Sequence, residues 1–218
     1  MCNSYFKSLS VRLIPGMGID LNAQILYDTC MAKISIGTNP RLEAIREGDA
    51  PRLAVITHPH PLYGGNMHNN VVATARDAAL AHGFSALRFN FRGVGSSDGL
   101  HDGGPGEIED LATVLDFSGE RPIILGYSFG AWIAAGLLKR RELPCILIAP
   151  PSAMFAFPPL KGLPVWAVVG AQDQFYDTAT FETVLDAGRL TIIDGVDHFW
   201  FGRESALRAY LDQMLPML

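Results

Sequence analysis

A chain of 218 residues, 49% of them hydrophobic and 18% charged, is long enough to bury a sizeable core and fits one globular domain. Its net charge of −5 and its scattered basic residues provide no basic surface for nucleic acid or an anionic membrane, so neither is expected as a partner. Three cysteines without paired spacing predict no disulfide framework, and the start of the sequence lacks the continuous apolar run of a signal peptide, which together favour the cytoplasm.

Short apolar runs alternate with helix-like segments from residue 32 onward. Aliphatic residues occupy successive positions within the runs, as in Ala54, Val55 and Ile56, which indicates strands buried on both faces. The alternation predicts an α/β fold with a mostly parallel sheet of about eight strands and helices on both faces. A turn sequence at residues 38–40 predicts that the first two strands form an antiparallel hairpin. The predicted strands cover residues 32–37, 42–46, 53–57, 85–91, 122–126, 145–149, 165–169 and 190–193, and the predicted helices cover residues 69–82, 106–117, 129–140, 178–187 and 204–215.

Residues 1–30 fit this alternation poorly. They are interpreted as an extension before a single domain of residues 31–218, and two explanations stay open. The extension is mobile, or it is an over-long gene model, since Met31 stands directly before the first predicted strand. A protein shortened to begin at Met31 that failed to fold would exclude the second explanation.

The sequence GYSFG at residues 126–130 joins a predicted strand to a predicted helix and places Ser128 at the turn. The flanking glycines let strand and helix approach without Cβ clashes, while the serine occupies a strained backbone position at the helix N-terminus. Such a turn raises a hydroxyl group above the edge of the sheet. Because a serine hydroxyl is a weak nucleophile at neutral pH, it needs a base and a residue that orients the base.

His198 is the candidate base because, of six histidines, it alone follows Ser128 in the sequence. It lies in the loop after the last predicted strand, at the edge where open α/β sheets place their sites. The candidate acid is Asp173, in the loop after the preceding predicted strand. Asp177 competes, although its place directly before a predicted helix favours an N-cap, and Asp197 is interpreted as a solvated turn residue.

A tetrahedral intermediate also requires two backbone N–H groups that bind its oxyanion. The residue after the nucleophile, Phe129, provides the first. The second is expected from the loop that follows the third predicted strand, where Pro59 and Pro61 have no N–H to donate. His60 and Leu62 remain, and His60 is the preferred candidate.

Three ordered motifs resemble those of small, cap-less bacterial serine hydrolases of the α/β-hydrolase superfamily: HPHPLYGGNM at residues 58–67, RFNFRGVGSSDG at residues 88–99 and GYSFG at residues 126–130. Together with Asp173 and His198, the resemblance extends from about residue 39 to the end of the chain. It implies an α/β-hydrolase fold, a triad of Ser128, Asp173 and His198, and carboxylesterase-type activity that extends to thioesters. No insertion that would form a cap occurs between residues 149 and 164.

Other motifs have weaker functional interpretations. Gly93, Gly95 and Asp98 resemble a dinucleotide fingerprint, but its third glycine is replaced and no clear helix follows. Histidines 58, 60 and 68 lack a neighbouring carboxylate that would complete a metal-dependent hydrolase site. We therefore expect no cofactor and no metal. Acidic residues at the start of one predicted helix are interpreted as structural because they oppose the helix dipole: Asp102, Glu107, Glu109 and Asp110.

The sequence thus predicts a serine hydrolase that acts on small carboxylic or thio esters through an acyl-enzyme. Two alternatives stay open: a peptidase or amidase of the prolyl-oligopeptidase type, and a non-catalytic relative that keeps the fold as a binding module. The lack of a domain to cage a peptide favours the ester, and the complete set of triad candidates argues against the binding module. The sequence also leaves open whether three aromatic residues belong to the core or to one wall of an acyl pocket: Phe199, Trp200 and Phe201. The oligomeric state is likewise open.

Overall fold

The computed structural model describes residues 32–119 and 121–218, in which strands and helices alternate along the chain. The hypotheses on residues 1–30 and on a start at Met31 lie outside the described residues. The strands are β1 (Ala32–Ile36), β2 (Leu42–Glu47), β3 (Arg52–Thr57), β4 (Phe84–Phe89), β5 (Ile123–Tyr127), β6 (Cys145–Ile148), β7 (Val165–Gly170) and β8 (Leu190–Ile193). The helices are α1 (Asn70–Ala81), α2 (Pro105–Ser118), α3 (Phe129–Leu138), α4 (Thr178–Phe181) and α5 (Glu204–Met214), and single 3-10 turns lie at Pro61–Tyr63 and Leu215–Met217.

All eight strands form one sheet in the order β1-β2-β4-β3-β5-β6-β7-β8. The pairs β1–β2 and β2–β4 are antiparallel, which confirms the hairpin expected at residues 38–40, and every pair from β4 to β8 is parallel. Parallel strands end at the same edge of a sheet. The loops after β3, β5, β7 and β8 therefore meet at the carboxyl edge, where open α/β sheets hold their sites.

The core has two halves, one on each face of the sheet. Successive residues of a strand point to opposite faces, so Val55 packs with α2, α3 and α4 on one side, whereas Ala54 and Ile56 pack with α1 and α5 on the other. Both faces of the central strands are covered. This explains why their sequences are continuously apolar rather than alternating.

The predicted helix at residues 178–187 is wrong in length, because α4 ends at Phe181. Beyond it the backbone tightens, and the Val184 N–H donates to the Phe181 carbonyl three residues back, at 3.1 Å. The Val184 carbonyl in turn accepts from the Leu160 N–H at 2.8 Å. Threonine and valine, which favour helices weakly because they are β-branched, are frequent in this segment. The segment beyond α4 is therefore hydrogen-bonded to a distant loop instead of continuing the helix.

The connection between β6 and β7 lies beside the carboxyl edge of the sheet. Within the described ranges, residues 149–164 form turns without a helix or strand, so no cap domain stands over this edge. The Ser152 hydroxyl anchors the connection, accepting from the Asp177 N–H at 2.8 Å and donating to the Asp177 carbonyl at 3.1 Å. None of the helices in the described part of the chain combines the length and the apolar character that crossing a membrane requires.

Candidate active site

Ser128 stands between β5 and α3, at the turn that the GYSFG sequence predicts. Its backbone has φ 54° and ψ −118°, a conformation that residues with a Cβ rarely adopt. A Cβ on Gly126 would lie 2.9 Å from Cα of Ala131, and one on Gly130 would lie 2.7 Å from the His58 carbonyl oxygen. Both positions therefore need glycine. The strand and helix approach closely enough to hold the serine at the carboxyl edge of the sheet.

A continuous chain of hydrogen bonds links the three residues predicted as the triad. The Ser128 Oγ lies 2.8 Å from Nε2 of His198, and Nδ1 of His198 lies 2.8 Å from Oδ2 of Asp173. The other carboxylate oxygen of Asp173 accepts the Phe175 N–H at 2.9 Å, which fixes the plane of the carboxylate. All three side chains are buried. The structure thus brings together, in the order hydroxyl, imidazole and carboxylate, residues that the sequence separates.

Backbone hydrogen bonds hold the loop that carries His198. The Tyr127 hydroxyl donates to the His198 carbonyl at 3.0 Å, and the Asp197 carboxylate accepts the N–H groups of Phe199 and Trp200 at 3.0 and 3.1 Å. Burial, together with the nearby charge of Asp173, raises the pKa of Tyr127 and keeps its hydroxyl protonated as a donor. The imidazole position is therefore set by the fold before any substrate binds.

The two competing acids occupy the positions that the sequence predicts for them. Asp177 is the N-cap of α4, where its carboxylate accepts the Ala179 N–H at 3.1 Å. Asp197 is exposed and caps its own turn. The Nδ1 atom of His198 is instead hydrogen-bonded to the carboxylate of Asp173.

The loop at residues 58–65 adjoins Ser128 and forms a tight turn around the His60 carbonyl, which accepts the N–H groups of Tyr63 and Gly65 at 3.1 Å each. The Leu62 N–H donates to Nδ1 of the His60 ring at 3.2 Å. Of the two candidate oxyanion donors, the Leu62 N–H is therefore already hydrogen-bonded within the loop. In the described part of the chain, the N–H groups of His60 and Phe129 have no acceptor, and both residues line the cavity above Ser128.

His58 fixes the start of this loop, a role that sequence reasoning missed when it considered the residue as a metal ligand. Its ring is fully buried, Nδ1–H donates to the Pro59 carbonyl at 2.7 Å, and Nε2 accepts the Phe91 N–H at 3.0 Å. Burial lowers the pKa of His58 to about 4, so the ring is neutral at pH 7. Nε2 thus attaches the loop to the segment just after β4, and Nδ1 holds the backbone of the loop itself. A histidine directly after a buried strand and directly before a proline was the signal for this role.

A cavity of about 690 Å³ opens above Ser128. Aromatic rings form most of its wall, and its polar groups include those of Ser128 and His198, the loop at residues 58–65 and the N-cap of α1. The residues that line it are Pro59, His60, Tyr63, Gly64, Gly65, Asn69, Tyr127, Ser128, Phe129, Pro151, Met154, Phe155, Phe175, His198, Phe199 and Phe201.

A family model described as the alpha/beta hydrolase family matches residues 67–217. The chain belongs to the alpha/beta hydrolase family. An uncharacterized protein of Rickettsia prowazekii is 37% identical over 190 residues, which cover 76% of this chain and 79% of that protein.

Solved structures support the same assignment. An alpha-beta serine hydrolase homologue from Coxiella burnetii is 32% identical, with a TM-score of 0.74 over 84% of this chain and 97% of its own. A serine hydrolase without lid from Xanthomonas campestris is 26% identical, with a TM-score of 0.75 over 86% of this chain and 94% of its own. These findings confirm the prediction of a small, cap-less α/β hydrolase.

Buried carboxylates shape the loop between β4 and α2 of this hydrolase, which lies beside the Ser128 turn. The Glu107 side chain accepts the N–H groups of Asp102 and Gly104 at 2.9 and 2.8 Å, and one of its oxygens lies 2.8 Å from Nδ1 of His101. Asp110 pairs with the Arg92 guanidinium at 2.7 Å. The sequence predicted a structural role for the acids at this helix start, and the loop that folds over Glu107 and Asp110 buries these two completely, whereas Asp102 and Glu109 are exposed.

Proposed function

We propose that this hydrolase cleaves carboxylic esters by a serine mechanism with a covalent acyl-enzyme. The observation that carries the proposal is the unbroken hydrogen-bond chain from Ser128 through His198 to Asp173. In this arrangement, the Ser128 oxygen attacks the ester carbonyl while Nε2 of His198 takes the hydroxyl proton. Asp173 remains ionised, accepts the Nδ1–H and stabilises the imidazolium.

The attack turns the carbonyl oxygen into an oxyanion. The free N–H groups of Phe129 and His60 are placed to bind it, since both residues line the cavity above Ser128. As the tetrahedral intermediate collapses, the C–O bond to the alcohol breaks and His198 gives its proton to the leaving oxygen. Water then attacks the acyl-enzyme by the same sequence of proton transfers and releases the acid, so that side chains and water complete the reaction.

An ester is favoured over a peptide by the surroundings of the site. No cap stands over the described carboxyl edge, and none of the lining residues is a Lys, Arg, Asp or Glu that would bind the charged terminus of a peptide. An amide also has a poorer leaving group than an ester. Thioesters satisfy the same geometry, because the attacked carbonyl and the leaving atom occupy the same positions.

Labelling by a fluorophosphonate probe tests the activated serine directly. We expect the purified protein to be labelled and the Ser128→Ala and His198→Ala variants to be unlabelled while retaining their fold by circular dichroism. Hydrolysis of p-nitrophenyl butyrate, compared with butyryl p-nitroanilide, tests the ester preference with the acyl group held constant. Folded wild-type protein that is not labelled would indicate a non-catalytic member of the family, and preferential cleavage of the anilide would indicate an amidase.

A further inference from the structure

The mouth of the cavity is surrounded by large apolar side chains that remain in contact with water. Tyr63 is 81% exposed, Met154 51%, Phe199 43% and Phe201 71%, and all four line the cavity above Ser128. We call these four residues the apolar rim. Single exposed hydrophobic residues are common on protein surfaces, but several around one opening mark a surface that binds something apolar.

The fold imposes the position of the two phenylalanines of the rim. They flank Trp200, which is completely buried and has a positive φ of 61°, an unusual conformation for a bulky residue. This backbone geometry sends the indole into the core and leaves Phe199 and Phe201 at the surface. Their rings stack with centroids 6.3 Å apart, and the Phe199 carbonyl accepts a hydrogen bond from the Asn70 amide at 3.1 Å.

The rim phenylalanines belong to the loop of His198, whose ring centroid lies 5.5 Å from that of Phe199. In an acyl transfer, Nε2 of the histidine protonates the leaving oxygen, so the alcohol part of an ester must lie next to this nitrogen. The oxyanion donors, Phe129 and His60, face the carbonyl oxygen instead. The alcohol, rather than the acyl chain, is therefore directed towards Phe199 and Phe201.

The wall between Ser128 and the rim offers no partner for a charged group. No Lys, Arg, Asp or Glu is present among the residues that line the cavity in the described part of the chain. Burial and the neighbouring His101 lower the pKa of His60, which favours a neutral ring in this wall. A charged alcohol would lose water there without gaining an ion pair, whereas an alkyl chain or ring gains apolar contacts.

We propose that the two phenylalanines of the apolar rim bind the alcohol part of the substrate, so that the natural substrates are esters of apolar alcohols large enough to reach from Ser128 to Phe199 and Phe201. This inference rests on the proposed ester hydrolysis. The occupant is a single ester molecule whose scissile carbonyl is held at Ser128. The uncharged wall, which joins the rim to the catalytic cavity, favours this occupant over a second copy of the chain.

Two butyrate esters test the proposal, because ethyl and hexyl butyrate give the same butyryl-enzyme and differ only in the alcohol. We expect kcat/KM, measured below the solubility limit of each ester, to be at least tenfold higher for hexyl butyrate. The Phe201→Ser and Phe199→Ser variants should each lower the hexyl-to-ethyl ratio of kcat/KM, by about tenfold for a phenyl ring that loses its apolar contact. Phe117→Ser is the matched control, since Phe117 is an exposed phenylalanine that lies outside the cavity and should leave the ratio at its wild-type value.

The possible results separate the rim from the proposed function. Hydrolysis of both esters with equal kcat/KM, or a ratio that is unchanged in both rim variants, overturns the rim proposal and leaves ester hydrolysis standing. If the folded protein hydrolyses neither ester and also does not react with the fluorophosphonate probe, the rim proposal and the proposed ester hydrolysis are both overturned. If both rim variants shift the elution volume in size-exclusion chromatography and leave the ratio unchanged, the rim is assigned to self-association and the proposal is overturned.

Discussion

The Ser128 hydroxyl meets Nε2 of His198 at 2.8 Å, across 70 positions of sequence, from a backbone conformation in which a Cβ is unfavourable. The positive φ of 54° results from the turn between β5 and α3, whose neighbouring glycines are too closely packed to take a side chain. The fold therefore holds Ser128 in place against a local preference of its own backbone. Strain of this kind collects at functional sites and is offset by the surrounding packing.

This relationship predicts that removing the Cβ of Ser128 stabilises the protein. Ser128→Ala and Ser128→Gly both lack the hydroxyl, but alanine keeps the strained Cβ and glycine relieves it. We expect the glycine variant to have a free energy of unfolding about 1 kcal/mol higher than the alanine variant, after subtraction of the larger chain entropy of glycine. Urea denaturation of the two variants measures the difference, and equal stabilities would show that the strain at this turn does not exceed the entropy cost of glycine.

Replacement of Asp173 by Asn should separate its role in orienting His198 from its role in the fold. The amide oxygen can still accept the Phe175 N–H, but the amide nitrogen cannot accept the Nδ1–H of His198. We expect kcat for p-nitrophenyl butyrate to fall by about 10⁴-fold, the effect of the equivalent change in a serine protease triad. Asp177→Asn is the control and should retain kcat within about twofold. If Asp177→Asn is the more damaging change, the assignment of the acid is wrong.

Gly65→Ala should damage catalysis by moving the loop that carries His60. An added Cβ would overlap the Pro59 carbonyl oxygen and lie 2.6 Å from the His60 carbonyl oxygen, so the backbone must shift. Loss of one oxyanion donor lowers kcat by about 10²–10³-fold, and we expect a decrease of this order. Gly162→Ala, at a site with no atom near the added Cβ, controls for loss of stability. A Gly65→Ala protein that is less stable but retains its kcat would exclude His60 as the donor.

Much of the fold was predictable because the information is local. Strands buried on both faces are continuously apolar, and the turn at residues 38–40 gives the direction of the first hairpin. That Ser128, Asp173 and His198 lie close together was also predictable, because each follows a strand that ends at the same edge of the sheet. Only the topology of a parallel sheet was needed to bring them together.

What could not be predicted depends on distant partners. The segment that follows α4 is hydrogen-bonded to Leu160, and His58 is hydrogen-bonded to Phe91, 33 positions later. The three aromatic residues after His198 are divided between core and surface by one positive φ at Trp200. A single sequence does not specify such contacts, because each requires the final packing of two or more loops.

His58 should make the stability of the protein depend on pH. Its pKa is about 4 in the folded protein and near 6.5 when exposed, so between these values the unfolded chain binds a proton that the folded protein does not. The free energy of unfolding therefore falls as pH decreases from about 6.5 to 4, by about 3 kcal/mol in total from this one group. Above pH 7 the ring is neutral in both states, and His58 adds no pH dependence.

The variant His58→Gln isolates this contribution, because glutamine offers the Phe91 N–H an acceptor and does not titrate. Urea denaturation at pH 5.0, 6.0 and 7.0 should give a variant that is less stable than wild type at pH 7 but loses less stability on acidification, with a difference approaching a factor of ten in the unfolding equilibrium constant per pH unit. His68→Gln, which replaces an exposed imidazole, should keep the wild-type slope. Parallel slopes for wild type and His58→Gln would show that His58 does not contribute to the pH dependence of the free energy of unfolding.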